Sequence, residues 1–115
     1  MSEDCIFCRI VSGDVPATVI ERGDGVVAIE DLDPKAPTHV LVLPAEHHDS
    51  IADLAAAGDD RLLGELFRTA TRIGRARGGD GGFRLVVNSG PNAGQSVGHL
   101  HVHVLAGRSL GWPPG

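Results

Sequence analysis

No apolar run in the chain approaches the ~18 residues of a membrane-spanning helix. The N-terminus MSEDCIFCRI lacks the basic-then-apolar layout of a signal peptide, so the expected location is cytoplasmic. A basic excess is missing as well. With a net charge of −5 there is no electrostatic reason to expect a nucleic-acid partner, although local dipoles and imidazoles can still hold a small anion. Internal repeats, low-complexity tracts and interdomain linkers are also missing. Cysteines number two, as Cys5-x-x-Cys8, and in a reducing compartment this spacing favours metal binding or redox chemistry over a structural disulfide. A thioredoxin-like pair would sit between a strand and a helix in a βαβ pattern. These cysteines lie at the very start, which weakens the redox reading, and two buried thiols packed as small hydrophobes remain the plainest alternative.

What is present is a balanced globular composition: 115 residues, 42% hydrophobic, mean hydropathy +0.03. This is enough for one domain, 1–115, with a core that needs no staples. Residues 5–12 read as a short helix stopped by Ser12-Gly13-Asp14 and Pro16. Residues 17–22 and 26–31 flank Gly23-Asp24-Gly25 and read as a hairpin. The loop Asp33-Pro34-Lys35-Ala36-Pro37 is stiffened by its prolines and delivers a near-continuous apolar strand over 39–43. Ser50 caps a short helix over 51–57, with Gly58 as its stop. Asp59 or Asp60 starts the longest periodic segment, whose Leu62, Leu63, Leu66, Phe67, Ala70 and Ile73 form a core-facing stripe up to Gly78. Residues 83–88 make a fourth strand. Together with the segment around residue 100, this predicts an α+β domain with an antiparallel sheet of about five strands.

The run Gly98-His99-Leu100-His101-Val102-His103-Val104 places three of six histidines at every second position. On a strand, His99, His101 and His103 share one face about 6.6 Å apart, with Leu100, Val102 and Val104 on the other. A helix would scatter them. Two chemistries fit. One is a metal site: Cys5, Cys8, His47 and one histidine of the run would complete a Cys2His2 set. The other is a nucleophilic imidazole, which needs one ring nitrogen held protonated by an acceptor while the other presents its lone pair. His101, flanked by two more imidazoles, suits that role. Crowded rings cannot all be cationic, so at least one stays neutral near pH 7. Gly94-Gln95-Ser96 ahead of the run offers close backbone approach and polar donors, a plausible anion cradle. His48 reads as an ordinary satisfied histidine.

HLHVHVL has the form His-φ-His-φ-His-φ-φ, with φ apolar. Together with CIFCRIVSGDVPA, EDLDPKAPTHVLVLPAEH, RLVVNSG, GQSVGHLHVHVLAGR and GWPPG, it resembles the histidine triad superfamily along nearly the whole chain, most closely the HINT branch of nucleoside phosphoramidases. The resemblance implies a homodimer whose five-stranded sheets join into one of ten strands. It implies that His101 attacks the α-phosphorus of a purine nucleoside phosphoramidate. A nucleotidyl-histidine then forms, and water releases the nucleoside monophosphate. His103 and His39 match residues that assist at the phosphate, Gly94, Gln95 and Ser96 its cradle, and Ser96 a hydroxyl near the leaving group. Asn88 matches a further phosphate-side residue and Asp31 the acceptor of the ribose hydroxyls. Many bacterial members of this kind carry Cys-x-x-Cys with two histidines as a structural zinc site, which implies Cys5, Cys8, His47 and His99 as ligands. Glu30 and Gly98 depart from the common pattern, bearing on nucleoside preference and on packing before the triad. A dinucleoside polyphosphate hydrolase and a nucleotide-binding regulatory protein are the alternatives. A metal-dependent hydrolase is a further one, while the nucleotidyl transferase branch is disfavoured by His103, where it has glutamine.

Overall fold

Alternation along the strands divides the apolar residues between two faces of one sheet. In the computed structural model, which describes residues 4–115, the elements are α1 (Ile6–Ser12), β1 (Val19–Gly23), β2 (Val26–Glu30), β3 (Thr38–Pro44), α2 (Ile51–Ala57), α3 (Asp60–Gly78), β4 (Phe83–Val86) and β5 (Val102–Ala106). The strands form a single antiparallel sheet in the order β1-β2-β3-β5-β4. On one face Val40, Val42, Val102 and Val104 pack against Leu66, Ala70 and Ile73 of α3. On the other, Val27, Ile29, Leu41 and Leu43 meet Phe7, Cys8 and Ile10 of α1. Both faces are covered, and β3 is therefore buried along its whole length.

Local chemistry sets the element ends. Asp24 and Gly25 both have positive φ (57° and 84°), the two-residue geometry whose twist suits a β1–β2 hairpin. The Cys5 sulfur accepts from the Cys8 amide at the start of α1. The Ser50 hydroxyl accepts from Asp53 N–H, and Asp59 accepts from Leu62 N–H at 3.0 Å. Where α3 crosses β4, Gly74 allows close contact: a Cβ there would lie 2.5 Å from the Phe83 ring.

Two sequence expectations need correction. Residues 87 and 88 lie beyond β4, which stops at Val86 opposite His103. The histidine run is not one strand: only His103 lies in β5, and His99 and His101 precede it. The β3–β5 ladder ends at the pair Val42–Val102. Continuing it would bring the 99–101 segment alongside Pro44, which has no N–H to donate. The Leu100 amide instead donates to the His48 carbonyl at 2.7 Å. Side-chain alternation survives the loss of the ladder, since Leu100 still joins Val102 and Val104 in the α3-side core. Among the described residues, no helix is long and apolar enough to cross a membrane.

Candidate active site and metal centre

His39 in β3 and His103 in β5 emerge on the α1 side of the sheet, because they share strand parity with Leu41 and because Leu41 is paired with His103. The His39 Nε2 to His103 Nδ1 distance is 2.9 Å. Which nitrogen holds each proton follows from the neighbours. The Lys35 amide donates to His39 Nδ1 at 3.0 Å, so the His39 proton sits on Nε2. That Nε2–H donates to His103 Nδ1, which places the proton of neutral His103 on Nε2, as a donor. Asp31 Oδ2 lies 3.4 Å from His39 Nε2, while its Oδ1 accepts from Asp33 N–H at 2.8 Å.

His101 is 5% exposed, and its Nδ1–H donates to the His99 carbonyl at 2.8 Å. The Nε2 lone pair is thereby left available, as nucleophilic use requires. The Phe7 ring stands edge-on to His101, with centroids 5.1 Å apart, and to His99 at 5.8 Å. Burial is the main cause that lowers the affinity of His103 for protons, to a pKa of about 4; His101 and His39 act the same way and Asp31 opposes them. His39 is also lowered from its ordinary value, by burial first, against the pull of Asp31. Both rings are thus neutral at pH 7, and the tautomer relay from Lys35 to His103 holds.

His101, His103, Asp31 and Ser96 border a cavity of about 220 Å³ whose other walls include Phe7, Ile10, Ile29 and Leu41. A few polar side chains among mostly apolar walls suit an aromatic base on a charged tail. The apolar walls escaped the sequence reading, since α1, β2 and β3 carry them as ordinary core-type residues. The parity of Ile29 with Asp31 and of Leu41 with His39 was the available signal. Lys35 was missed too, because it acts through its backbone. The Gln95 carboxamide is committed to the loop: its nitrogen donates to the Asp49 and Val97 carbonyls at 2.6 and 3.0 Å, and its oxygen accepts from Gly90 N–H at 2.9 Å. Any contribution of Gln95 to an anion cradle is therefore through its backbone. Gly94 and Asn88 are not among the residues lining the cavity, and Asn88 is half-buried just past β4. Glu30 reaches the cavity edge but pairs with Arg77 of α3 at 3.0 Å. A side chain at Gly98 would meet nothing within 4 Å, so the turn before the triad is open.

The second cluster gathers Cys5, Cys8, His47 and His99. Cys5 Sγ lies 3.3 Å from His99 Nδ1, and Cys8 Sγ lies 3.2 Å from His47 Nδ1 and 3.5 Å from His99 Nδ1. Tetrahedral bonds of about 2.3 Å to sulfur and about 2.0 Å to nitrogen would set sulfur and nitrogen ligands roughly 3.5 Å apart, which these four donors nearly match. The far side of each ring agrees. His47 Nε2–H donates to Asp49 at 2.7 Å and His99 Nε2–H to the Pro44 carbonyl at 2.9 Å, turning both Nδ1 lone pairs toward the sulfurs. Asp31, His39 and His103 also converge, but the Lys35 amide keeps a proton on His39 Nε2, the atom a metal would need. The hydrogen-bond relay there runs from Lys35 through His39 to His103, with Asp31 beside it. His48 takes no part in either cluster: its Nε2 is 3.3 Å from Glu46 without hydrogen-bonding alignment.

The HIT domain pattern matches residues 12–110, most of the chain and the whole relay. The chain belongs to the HIT family. An uncharacterized HIT-like protein of Synechococcus elongatus is 44% identical over 115 residues, 100% of both chains. The 14 kDa zinc-binding protein of Brassica juncea is 41% identical, covering 97% of this HIT chain and 100% of its own. Adenylylsulfatase HINT1 of Arabidopsis thaliana is 40% identical over 96% of this chain and 76% of its own. Among solved structures, a HIT family hydrolase from Legionella pneumophila superposes with a TM-score of 0.90 at 39% identity, covering 97% of this chain and 100% of that one. The five-stranded HIT sheet expected from the sequence is the one observed.

Proposed function

We propose that this HIT protein is a purine nucleoside phosphoramidase, a cytoplasmic hydrolase that releases a nucleoside 5′-monophosphate through a nucleotidyl-histidine. The observation that carries this reading is the Nδ1–H bond of His101 to the His99 carbonyl, which leaves the Nε2 lone pair of this cavity-lining ring as the nucleophile. The purine packs among the apolar walls Phe7, Ile10 and Leu41, and the ribose hydroxyls donate to Asp31. His103 Nε2–H donates to a phosphate oxygen, with Gly94, Gln95 and Ser96 supplying the loop backbone and Asn88 a polar group on the phosphate side. Nε2 of His101 forms a bond to the α-phosphorus as the phosphorus–nitrogen bond breaks. The departing nitrogen takes up a proton that solvent supplies through the exposed Ser96 hydroxyl. The His99 carbonyl faces the Nδ1–H of the imidazolium that results, and His39 keeps His103 in its donor tautomer. Water then attacks phosphorus, freeing the monophosphate and restoring His101.

The Cys5, Cys8, His47 and His99 donors fit zinc, whose role with four protein ligands is structural. The zinc-binding name of the Brassica relative supports this choice of ion. The outer side of the edge strand β4 has no ladder partner among the described residues, and it supports a homodimer in which two sheets continue into one of ten strands.

Incubation with adenosine 5′-phosphoramidate, following AMP, tests the activity; equal turnover by His101→Ala would remove the nucleophile assignment. A second reading comes from the Arabidopsis relative, an adenylylsulfatase by name; adenylyl sulfate also presents an α-phosphorus to His101. Matched kcat/KM values for the phosphoramidate, adenylyl sulfate and a diadenosine polyphosphate rank the leaving groups. Tight AMP binding without turnover of any of them would favour a nucleotide-binding regulatory protein.

A further inference from the structure

The nucleophile stands on a segment that the sheet does not hold. The β3–β5 ladder ends at Val102, so the backbone of His99–Leu100–His101 is fixed by other means: Leu100 is buried in the α3-side core, and the polar and ring contacts lead to the metal cluster. His99 offers Nδ1 to the two sulfurs while its own carbonyl accepts the Nδ1–H of His101. The Leu100 amide donates to the carbonyl of His48, the residue after the ligand His47. The ring packed edge-on to both His99 and His101 belongs to Phe7, the residue before the ligand Cys8. One residue, His99, thus joins the cluster at its side chain to the nucleophile at its carbonyl.

We propose that the Cys5–Cys8–His47–His99 centre is the positioning element for His101, replacing the missing ladder, so that the state of the metal sets the tautomer and aim of the nucleophile. His99 is then a positioning residue: it touches no substrate and acts through the 2.8 Å bond to His101. A displacement there carries over directly, and misplacing a reacting group by a fraction of an ångström costs roughly tenfold or more in rate.

This inference rests on the reading of His101 as nucleophile, and the experiment separates the two. Protein labelled with ¹⁵N in its histidines is prepared with zinc, with the larger ion cadmium-113, and without metal. Nitrogen-detected imidazole spectra report the tautomer of each ring. The zinc form should show His101 protonated at Nδ1 in a fixed position, and the metal-free form should lose that signal while His39 and His103 keep theirs. The cadmium form should keep its fold and its KM but show kcat lower by roughly tenfold, and AMP should move the cadmium-113 resonance. If metal removal unfolds the chain, the zinc and cadmium comparison decides alone. Equal kcat for zinc and cadmium forms with a cadmium resonance indifferent to AMP would overturn the proposal. Should no form turn over a phosphoramidate, the proposed function fails, while the His101 spectrum and the AMP response of cadmium still decide the coupling.

Discussion

Replacing His103 with asparagine removes the most perturbed imidazole of the relay, and its effect on acid stability follows from the geometry. In the unfolded chain this ring takes up a proton near its ordinary pKa of 6.5, whereas burial beside His101 and His39 holds the folded ring neutral down to about 4. Between those values the unfolded state binds more protons, so stability falls as pH falls; above 6.5 the contribution is fully present. At about 1.4 kcal/mol per pH unit, the gap amounts to about 3 kcal/mol when integrated below pH 4, and about 2 kcal/mol between pH 7 and 4.5. The assay is urea denaturation at a series of pH values, on wild type and on His103→Asn. Protonation of the metal ligands acts on both proteins alike and cancels in the difference. The wild type should lose about 2 kcal/mol more than the variant from pH 7 to 4.5. Parallel curves, offset by any constant, would refute the claim that His103 is kept neutral by burial, and with it the donor tautomer assigned to its Nε2.

Gly74→Ala pushes a Cβ to within 2.5 Å of the Phe83 ring and should cost roughly 1–3 kcal/mol in denaturant titration. Gly64→Ala on the same helix meets only the flexible end of Arg68 at 3.2 Å and should be neutral or stabilising by up to about 1 kcal/mol. Asp31→Asn removes the charged acceptor at the cavity and should raise KM for the phosphoramidate by roughly tenfold, with a smaller change in kcat, read from steady-state kinetics. Cys8→Ser breaks the four-donor set; metal analysis should show loss of the ion, and thermal melting a lower midpoint, by a loss of several kcal/mol.

Much of the fold lies open in the sequence because its signals are local. Ser50, Asp59 and Gly58 cap and stop helices through their own side chains or backbone freedom, and the α3 stripe is set by period alone. Asp24-Gly25 carries the hairpin in two residues. The histidine run deceived for the opposite reason. Its alternation is that of a strand, but whether a strand forms depends on the partner, and the partner there is Pro44. The titratable and metal-binding side chains announce themselves by type. Lys35 N–H and the carbonyls of His99 and Pro44, which decide the tautomers of His39, His101 and His99, carry no such mark, because any residue could supply them. The cavity walls Phe7, Ile29 and Leu41 are likewise indistinguishable from core until the sheet and α1 are placed together.

The account depends above all on His101 Nε2 forming a bond to phosphorus. Intact-mass spectrometry after rapid mixing with adenosine 5′-phosphoramidate tests this directly. A transient adenylyl adduct should appear, map by peptide fragmentation to His101, and vanish in His101→Ala together with AMP release. Turnover at the wild-type rate with no adduct, or an adduct carried by His99 or His103, would contradict it.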